Sequence, residues 1–429
     1  MKRRLFLGTA VAASAGVLAS CGDGGGGGGE ANEDIATEVA ADTTAEISYG
    51  MWAEDQRPTI EKMIAAFNEE YPNITVNITV TPWENYFTKL QTQASGGDLP
   101  DVFWMNAGNF ALYAGAGQLQ SLADLEVDAS KFPQALVETY THDGTVYGYP
   151  KDYDTIGLFY NEALFEKAGV EAPAEGWTWE DYHSTAKEIS EKLKGEEIYG
   201  AIGGWSNQEL VYPMIYSFGG KIITDEGTSG YDSEAAKKAF QLMADMESDG
   251  STPDVAFTAE NWGTEVFGSG KAAMMTGGNW NAGILKDMAA YDDVRVAPMP
   301  QGDQPATVIH GVGHVMSAKS GNKDAAAALI TFLAGETAGR IQGESGGAIP
   351  AYEGLEADYT EQYPTMNMQV FITGATEHAF PMPASKNTQA WMDAESTHFP
   401  QIVGGEVTVD EGASALASDM NAVLEDEAE

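Results

Sequence analysis

Aromatic rings and polar side chains occur together at several positions of this sequence, in combinations that suit ligand recognition. Two such groups are Trp52, Glu54 and Asp55, and Asp152, Tyr153 and Asp154. An aromatic plane packs against flat C–H faces, whereas carboxylates and amides bind hydroxyl groups. The combination favours a ligand that offers both an apolar face and hydrogen-bonding groups.

Metal and cofactor sites are not predicted. His310 and His314 are four residues apart, but no HExxH pattern or nearby third ligand accompanies them. Asp152 and Asp154 form a D-x-D pair without a glycine-rich calcium loop, which favours hydroxyl recognition and leaves surface solvation as the alternative. No Walker loop is present, and the only GxGxxG match lies in the glycine run around Gly24–Gly29.

Charge and length limit the function classes. The chain has 429 residues, and 22 Lys and Arg against 65 Asp and Glu give a net charge of −43. Such a charge argues against nucleic acid or an anionic lipid surface as a partner. The length exceeds what one core usually organises, so two lobes are expected.

The N-terminus has the pattern of an export signal. Three basic residues, Lys2–Arg4, precede the apolar run Leu5–Leu18, which is too short for a transmembrane helix. Leu18-Ala19-Ser20-Cys21 resembles the lipobox of bacterial lipoproteins, so Cys21 is the predicted lipid anchor. The start also resembles a twin-arginine signal, and export by that route or by the Sec route stays open. The glycine-rich, acidic stretch that follows predicts a flexible linker.

The remaining chain alternates strand and helix patterns. "EISYGMW", "NITVNITVT" and "DVFWM" predict strands, and "RPTIEKMIAAFNEEYP" and "NYFTKLQTQASGG" predict the helices between them. This order implies parallel strands in an α/β lobe, whose ligands sit beyond the carboxyl ends of the strands. A second α/β pattern follows, with strands at "IYGAIG", "KAAMM" and "VRVAPMP", and a final helix at "TVDEGASALASDMNAVLEDE".

The order of the motifs resembles the extracellular solute-binding proteins of ABC importers, in particular those that bind oligosaccharides such as maltose. The resemblance rests on "FNEEYPNITVNI", "YFTKLQTQASGGDLPDVFWM", "YPKDYDTIGLFYNEALFEKAGV", "GWTWEDY", "SFGGKI", "GKAAMMTGGNW", "VAPMPQG" and "WMDA…GGEVTVDEGA". It implies an α/β, two-lobe periplasmic-binding-protein-like fold of type II, with the ligand in the cleft between the lobes. It also implies a monomeric receptor that has no cofactor, is lipid-anchored outside the cell membrane, and delivers its ligand to ABC permease subunits.

The resemblance divides the chain into six segments. They are the signal peptide 1–20, the linker 21–45, the N-terminal lobe 46–154, the C-terminal lobe 155–305, a return to the N-terminal lobe 306–350, and a C-terminal lobe completion 351–429. The chain should cross between the lobes near Asp154–Gly157, Ala306–Gly311 and Ile349–Tyr352.

The predicted ligand site combines the strand-end residues with positions that match the family. Its members are Trp52, Glu54, Asp55, Asn106, Asp152, Tyr153, Asp154, Trp205, Asn279, Trp280, Gly311 and Trp391. The family resemblance implies that Trp280 and Trp391 stack on sugar. The other five tryptophans, Trp83, Trp104, Trp177, Trp179 and Trp262, are expected to pack the lobes. Maltose-type members have a tryptophan close to the place of Asn106, so maltose itself is not assumed.

Three other classes remain as alternatives. A cleft lined by carboxylates and tryptophans also fits a glycoside hydrolase, although no feature marks a raised-pKa acid. A binder of polyamines, peptides or iron chelates is compatible with the acidic composition. A purely structural surface lipoprotein would not need the aromatic motifs.

Overall fold

The computed structural model describes residues 35, 39–202 and 206–428. Cys21, the signal segment, most of the linker and Trp205 lie outside the described residues. Within these residues no helix is both long and apolar enough to cross a membrane.

The described residues form two main sheets and three short strand pairs, with helices between the strands along the chain. The strands are β1 (Ala45–Met51), β2 (Ile74–Val80), β3 (Val102–Met105), β4 (Thr141–His142), β5 (Thr145–Val146), β6 (Gly148–Pro150), β7 (Asp152–Tyr153), β8 (Ile156–Asn161), β9 (Met274–Gly278), β10 (Val294–Ala297), β11 (Thr307–Ile309), β12 (Gly313–Met316), β13 (Ile349–Pro350) and β14 (Ala379–Pro381).

The described residues also form α-helices along the chain. They are α1 (Arg57–Glu70), α2 (Trp83–Gly96), α3 (Ala107–Gly115), α4 (Gln134–Thr139), α5 (Glu162–Ala168), α6 (Trp179–Leu193), α7 (Tyr212–Ser217), α8 (Glu234–Ser248), α9 (Val255–Glu260), α10 (Gly263–Gly268), α11 (Asn281–Leu285), α12 (Lys323–Leu333), α13 (Glu336–Ser345), α14 (Glu356–Thr360), α15 (Gln369–Glu377), α16 (Thr388–Val403) and α17 (Val409–Ala428). A π-helical turn, Asn207–Val211, precedes α7.

The N-terminal lobe is built on a five-stranded sheet in the order β2-β1-β3-β12-β6. β1 pairs in parallel with β2 and β3, as the alternating strand and helix patterns predict. β12 is antiparallel to both of its neighbours and returns from far along the chain. The apolar stripe of α1, Ile60, Met63, Ile64 and Phe67, is buried against this sheet's core, as its spacing predicts.

The C-terminal lobe contains the three-stranded antiparallel sheet β10-β8-β9. Within its described residues, 198–202, the predicted strand "IYGAIG" forms two isolated parallel bridges, Tyr199 to Ala272 and Ile202 to Met275. The core of the C-terminal lobe includes Trp179, Tyr212 and Phe399. Helices α16 and α17 pack against each other beside this core.

Short pairings join the segments that are predicted to run between the lobes. β7 pairs with β13, and Asp154 forms an antiparallel bridge with His310 immediately beyond β7. β11 pairs with β14 in parallel. These crossings bring Asp154 and His310, which are far apart in sequence, into direct contact.

Candidate ligand-binding cleft

Tryptophans lie at the carboxyl ends of the first two parallel strands. β1 and β2 run in the same direction, so Trp52 and Trp83 follow at the same edge of the sheet. Trp52 is partly buried, and its ring contacts two other indole rings edge-on. The ring centres of Trp52 and Trp104 are 5.0 Å apart, and those of Trp52 and Trp83 are 5.4 Å apart. Trp83 keeps 51 % of its surface exposed. The structure therefore corrects its predicted role in lobe packing, because half of the residue faces solvent at this edge.

Two predicted carboxylates stand beside this aromatic group. Glu54 and Asp55 form a short 3-10 turn directly after Trp52, and both are exposed. The Glu54 carboxylate is 3.7 Å from a nitrogen of Arg57. The surrounding protein withdraws enough water from the Asp55 carboxyl to raise its pKa above the ordinary value. Both groups remain accessible to a ligand.

Asn106 caps a helix with its side chain. It is the N-cap of α3, and its side-chain oxygen accepts hydrogen bonds from the Asn109 backbone N–H (3.1 Å) and the Asn109 amide (3.0 Å). Capping satisfies an otherwise unpaired helix N–H. The residue is only partly buried, but its side-chain oxygen already has two donors.

Several predicted contacts belong instead to the crossing between the lobes. Asp152 is 2 % exposed, forms a buried ion pair with Lys151, and accepts from the Val312 backbone N–H at 2.9 Å. A Cβ added to Gly311 would lie 2.1 Å from the Asp152 carbonyl oxygen, so only glycine fits there. Asp152 and Gly311 thus hold the crossing strands together, which corrects their predicted role in ligand contact.

Asn279 and Tyr153 are also buried at this crossing. The Asn279 side-chain oxygen accepts from the Thr155 backbone N–H at 3.2 Å. The Asn279 backbone carbonyl accepts from the Tyr359 hydroxyl at 2.8 Å. Neither Asn279 nor Tyr153 retains appreciable exposed surface. The prediction that they contact ligand is therefore not supported in this arrangement of the lobes.

Asp154 has polar partners from two distant parts of the chain. It is 6 % exposed, and its carboxylate lies 2.9 Å from His310 Nδ1 and accepts from Gln208 Nε2 at 3.1 Å. Burial raises the pKa of Asp154, against the opposing effect of His310. Gln208 belongs to the π-helical turn of the C-terminal lobe, so Asp154 joins that turn to the crossing strands.

A second polar chain continues from the same turn. Asn281 Nδ2 donates to Glu209 Oε1 at 3.3 Å, and Thr264 Oγ1 donates to Asn281 Oδ1 at 2.7 Å. Burial raises the pKa of Glu209, and the negative charge of Asp154 adds to that rise. Trp262, the residue before α10, lies two positions from Thr264 and is 54 % exposed. This exposure corrects the predicted packing role of Trp262.

Trp280 and Trp391 occupy different environments. Trp280 is partly buried, and its ring covers the backbone of Gly278, where an added Cβ would meet the ring at 1.8 Å. Trp391 is 0 % exposed, packs in the C-terminal core, and donates from Nε1 to Ser385 Oγ at 3.0 Å. The expected stacking of Trp391 on ligand is therefore wrong for this structure, because the ring has no free face.

Four polar residues that contact the predicted site residues or continue their hydrogen-bond network were not predicted. These are Gln208, Glu209, Asn281 and, as a partner of Asp154 rather than a metal ligand, His310. Trp83 could have been found by the rule that selected Trp52, since it also follows a strand end. Nothing in the local sequence marks the other four. The described residues contain no group of three His, Cys, Asp or Glu side chains arranged to hold a metal ion.

Comparisons with known proteins agree with this architecture. A family model described as bacterial extracellular solute-binding protein matches residues 53–340. A Brucella abortus (strain 2308) protein named as a binding protein is 30 % identical over 288 residues, which are 64 % of this chain and 68 % of that protein. The maltodextrin-binding protein MdxE of Bacillus subtilis is 24 % identical over 371 residues, 83 % of this chain and 85 % of that one.

A solved structure supports the fold directly. The ABC substrate-binding protein from Listeria monocytogenes in complex with cycloalternan superimposes on this chain with a TM-score of 0.84 and a sequence identity of 24 %. The superposition covers 89 % of this chain and 100 % of the Listeria chain. The predicted two-lobe fold of type II is thereby confirmed. Because the family model covers most of the chain, this protein belongs to the family of bacterial extracellular solute-binding proteins.

Proposed function

We propose that this protein captures a sugar or oligosaccharide in the cleft between its lobes and delivers it to the permease of an ABC importer. The observation that carries the proposal is the position of two exposed tryptophans, Trp83 and Trp262. Trp83 contacts Trp52, two residues before the Glu54 and Asp55 turn, and Trp262 is two residues before Thr264, which donates to Asn281. Exposed indole rings beside hydroxyl-binding groups suit the two chemical faces of a sugar.

The relatives support the same ligand class. MdxE is named for binding maltodextrin, and the Listeria protein was solved with cycloalternan. Both ligands are carbohydrates. In the proposed cycle, the ligand shifts the lobes toward a closed arrangement and is released to the permease without any change in its covalent structure.

The proposal includes the location of the protein. The family is extracellular, and the sequence around Cys21 adds a lipid anchor on the outer face of the cell membrane, with a monomeric body on a glycine-rich linker. Replacing Cys21 with serine should release the protein from the membrane fraction without changing sugar binding. Retention of Cys21→Ser in the membrane fraction would contradict the anchor.

A polyamine is the second candidate ligand. The observation that favours it is the pair of acidic groups, Asp154 and Glu209. Burial raises both of their pKa values, and the charge of Asp154 raises that of Glu209 further. A protonated amine would relieve that repulsion.

A thermal-shift screen of residues 45–429 against monosaccharides, oligosaccharides, peptides and polyamines distinguishes the ligands. A bound ligand at about 100 times its dissociation constant stabilises by about 2.7 kcal/mol. A shift with sugars supports the proposal, whereas a shift only with polyamines or peptides rejects it. Recovery of intact sugar after long incubation separates a binder from a glycoside hydrolase.

A further inference from the structure

Helix α16 carries a buried carboxylate that ligand capture does not use directly. Glu395 is 1 % exposed. It accepts hydrogen bonds from the Tyr212 hydroxyl at 2.9 Å and from Asn207 Nδ2 at 3.0 Å, and a further short one from the Tyr231 hydroxyl. Burial raises the pKa of the Glu395 carboxyl to about 7, although these hydrogen bonds oppose the rise. Among the described residues, its hydrogen-bond partners are thus three uncharged groups.

One of those partners opens the turn that lines the cleft. Asn207 is the first residue of the π-helical turn, and single π-turns are frequent at functional sites. The next two side chains point to the cleft: Gln208 donates to Asp154, and Glu209 accepts from Asn281. Three consecutive residues therefore connect the buried carboxylate, the lobe crossing and the cleft floor.

The same helix also touches the other lobe. A Cβ added to Gly108 of α3 would lie 3.7 Å from the Met392 sulfur and 3.7 Å from a Thr388 methyl group. Thr388 and Met392 are on the N-terminal half of α16, and Glu395 follows one turn later. α16 thus contacts the N-terminal lobe at one end and anchors the cleft turn near its middle.

We propose that Glu395 is a positioning residue of the cleft, whose ionised carboxylate fixes Asn207 and, through it, the side chains of the turn 207–211. The consequence is a cleft that loosens when Glu395 takes up a proton. The tyrosine hydroxyls can then turn to accept the new proton, but the amide nitrogen of Asn207 can only donate. Its hydrogen bond loses the charge that strengthened it.

The surroundings of Glu395 limit the groups that can respond to pH with it. Tyr212 and Tyr231 face it, and burial with the nearby carboxylate holds both of their pKa values well above the ordinary range. The charged pairs Lys237–Asp410 and His398–Asp419, on the packed helices, are partly exposed. α3 contains no charged residue. Glu209 within the turn, and the pair Asp154 and His310 bonded to Gln208, also have raised pKa values. A pH response of the turn is therefore assigned to Glu395 only where Glu395→Gln abolishes it.

Hydrogen exchange of the full chain, followed by mass spectrometry, tests this inference without a ligand. Exchange of the amides of residues 207–211 is measured at about pH 5.5 and about pH 8.5, on either side of the pKa, and corrected for intrinsic rates. Because the hydrogen bond from Asn207 loses its charge assistance, protection at the acid pH should fall by about five- to tenfold. In Glu395→Gln, protection should be low at both pH values.

Two further variants keep the result decisive. Asn207→Ala leaves the carboxylate with both tyrosines, even if Glu395→Gln does not fold. It also removes the acceptor of the Gln208 backbone N–H, so low protection at the alkaline pH is read from residues 209–211. Asp419→Asn, which removes a carboxylate that contacts α16 at the surface, should leave the turn unchanged. Equal protection of the turn at both pH values in the unmodified protein would overturn the inference, as would wild-type protection in Asn207→Ala.

The inference rests on the proposed function only for its effect on ligand affinity. If the screen finds no sugar that binds, the proposed function fails while the exchange result still stands. If a sugar binds but the turn does not respond to pH, only the role of Glu395 is rejected.

Discussion

The side chains of Asp154 and His310 are joined by a hydrogen bond of 2.9 Å, and their backbones exchange two more, at 2.7 and 3.2 Å. The two segments that meet here run between the lobes. Burial alone would lower the pKa of His310, but the Asp154 carboxylate outweighs burial and raises it. This contact therefore ties the crossing most strongly when the imidazole is charged.

Asp154→Asn should weaken that tie in a pH-dependent manner. Because the pKa of His310 is raised in the folded protein, its contribution to stability is complete below the ordinary value near 6.5 and is lost as the pH rises through the raised value. The variant should therefore lose about 2 kcal/mol at pH 6, and less at pH 9. Urea unfolding at both pH values measures the difference, and an NMR titration should show the pKa of His310 falling in the variant. An unchanged pKa would contradict the pairing.

Trp83→Ala and Trp262→Ala should weaken sugar binding while preserving the fold. Each tryptophan is more than half exposed, so little packing is lost. Loss of a stacking ring is expected to cost about 1 to 2 kcal/mol of binding energy, or about tenfold in affinity. Calorimetric titration with the sugar identified by the screen gives the affinities.

The matched control for these variants is Trp177→Ala, since Trp177 is a partly buried tryptophan packed on the C-terminal core. It should leave affinity unchanged. An unchanged affinity in both Trp83→Ala and Trp262→Ala would show that the ligand does not reach the exposed rings.

Trp391→Ala should act on stability. The ring is fully buried and its N–H is bonded to Ser385, so its removal leaves a cavity and should cost about 3 to 5 kcal/mol. Thermal unfolding without ligand measures the loss. A variant of normal stability that no longer binds sugar would instead restore the ligand-stacking role that the sequence suggested.

Glu395 should make the protein less stable as the pH rises. Its pKa is raised from 4.5 to about 7, so the unfolded chain releases this proton at a pH where the folded protein retains it. Its contribution to stability is present below pH 4.5 and is lost by about pH 7, by roughly 3 kcal/mol in all.

The comparison with Glu395→Gln isolates this effect, because other titrating groups are common to both proteins. The difference in unfolding free energy should shift in favour of the variant between pH 5 and pH 8. A constant difference over that range would mean that the carboxyl does not titrate there.

The fold was predictable because its evidence is local. The apolar stripe of α1 and the alternation of β2 are properties of short segments, and the chain order of strands and helices implied parallel pairing. The residues at which individual strands begin and end were predicted less accurately. The predicted strand "KAAMM" shares only Met274 and Met275 with β9.

The cleft was only partly predictable because its polar contacts join distant parts of the chain. Asp154 meets His310 across 156 residues, and Glu209 meets Asn281 across 72. No spacing rule relates such pairs. The burial of individual tryptophans was also not predictable. Trp391 and Trp262 both have polar neighbours in the sequence, yet Trp391 is buried and Trp262 is exposed. Residue type alone could not separate packing from recognition.

Native mass spectrometry of the protein, after incubation with a pooled set of oligosaccharides, polyamines and peptides, shows directly which class of ligand is bound. A sugar receptor should gain a mass that matches one intact carbohydrate, and the gain should be smaller in the Trp83→Ala, Trp262→Ala double variant. An adduct formed only with a polyamine or a peptide would contradict the proposed function.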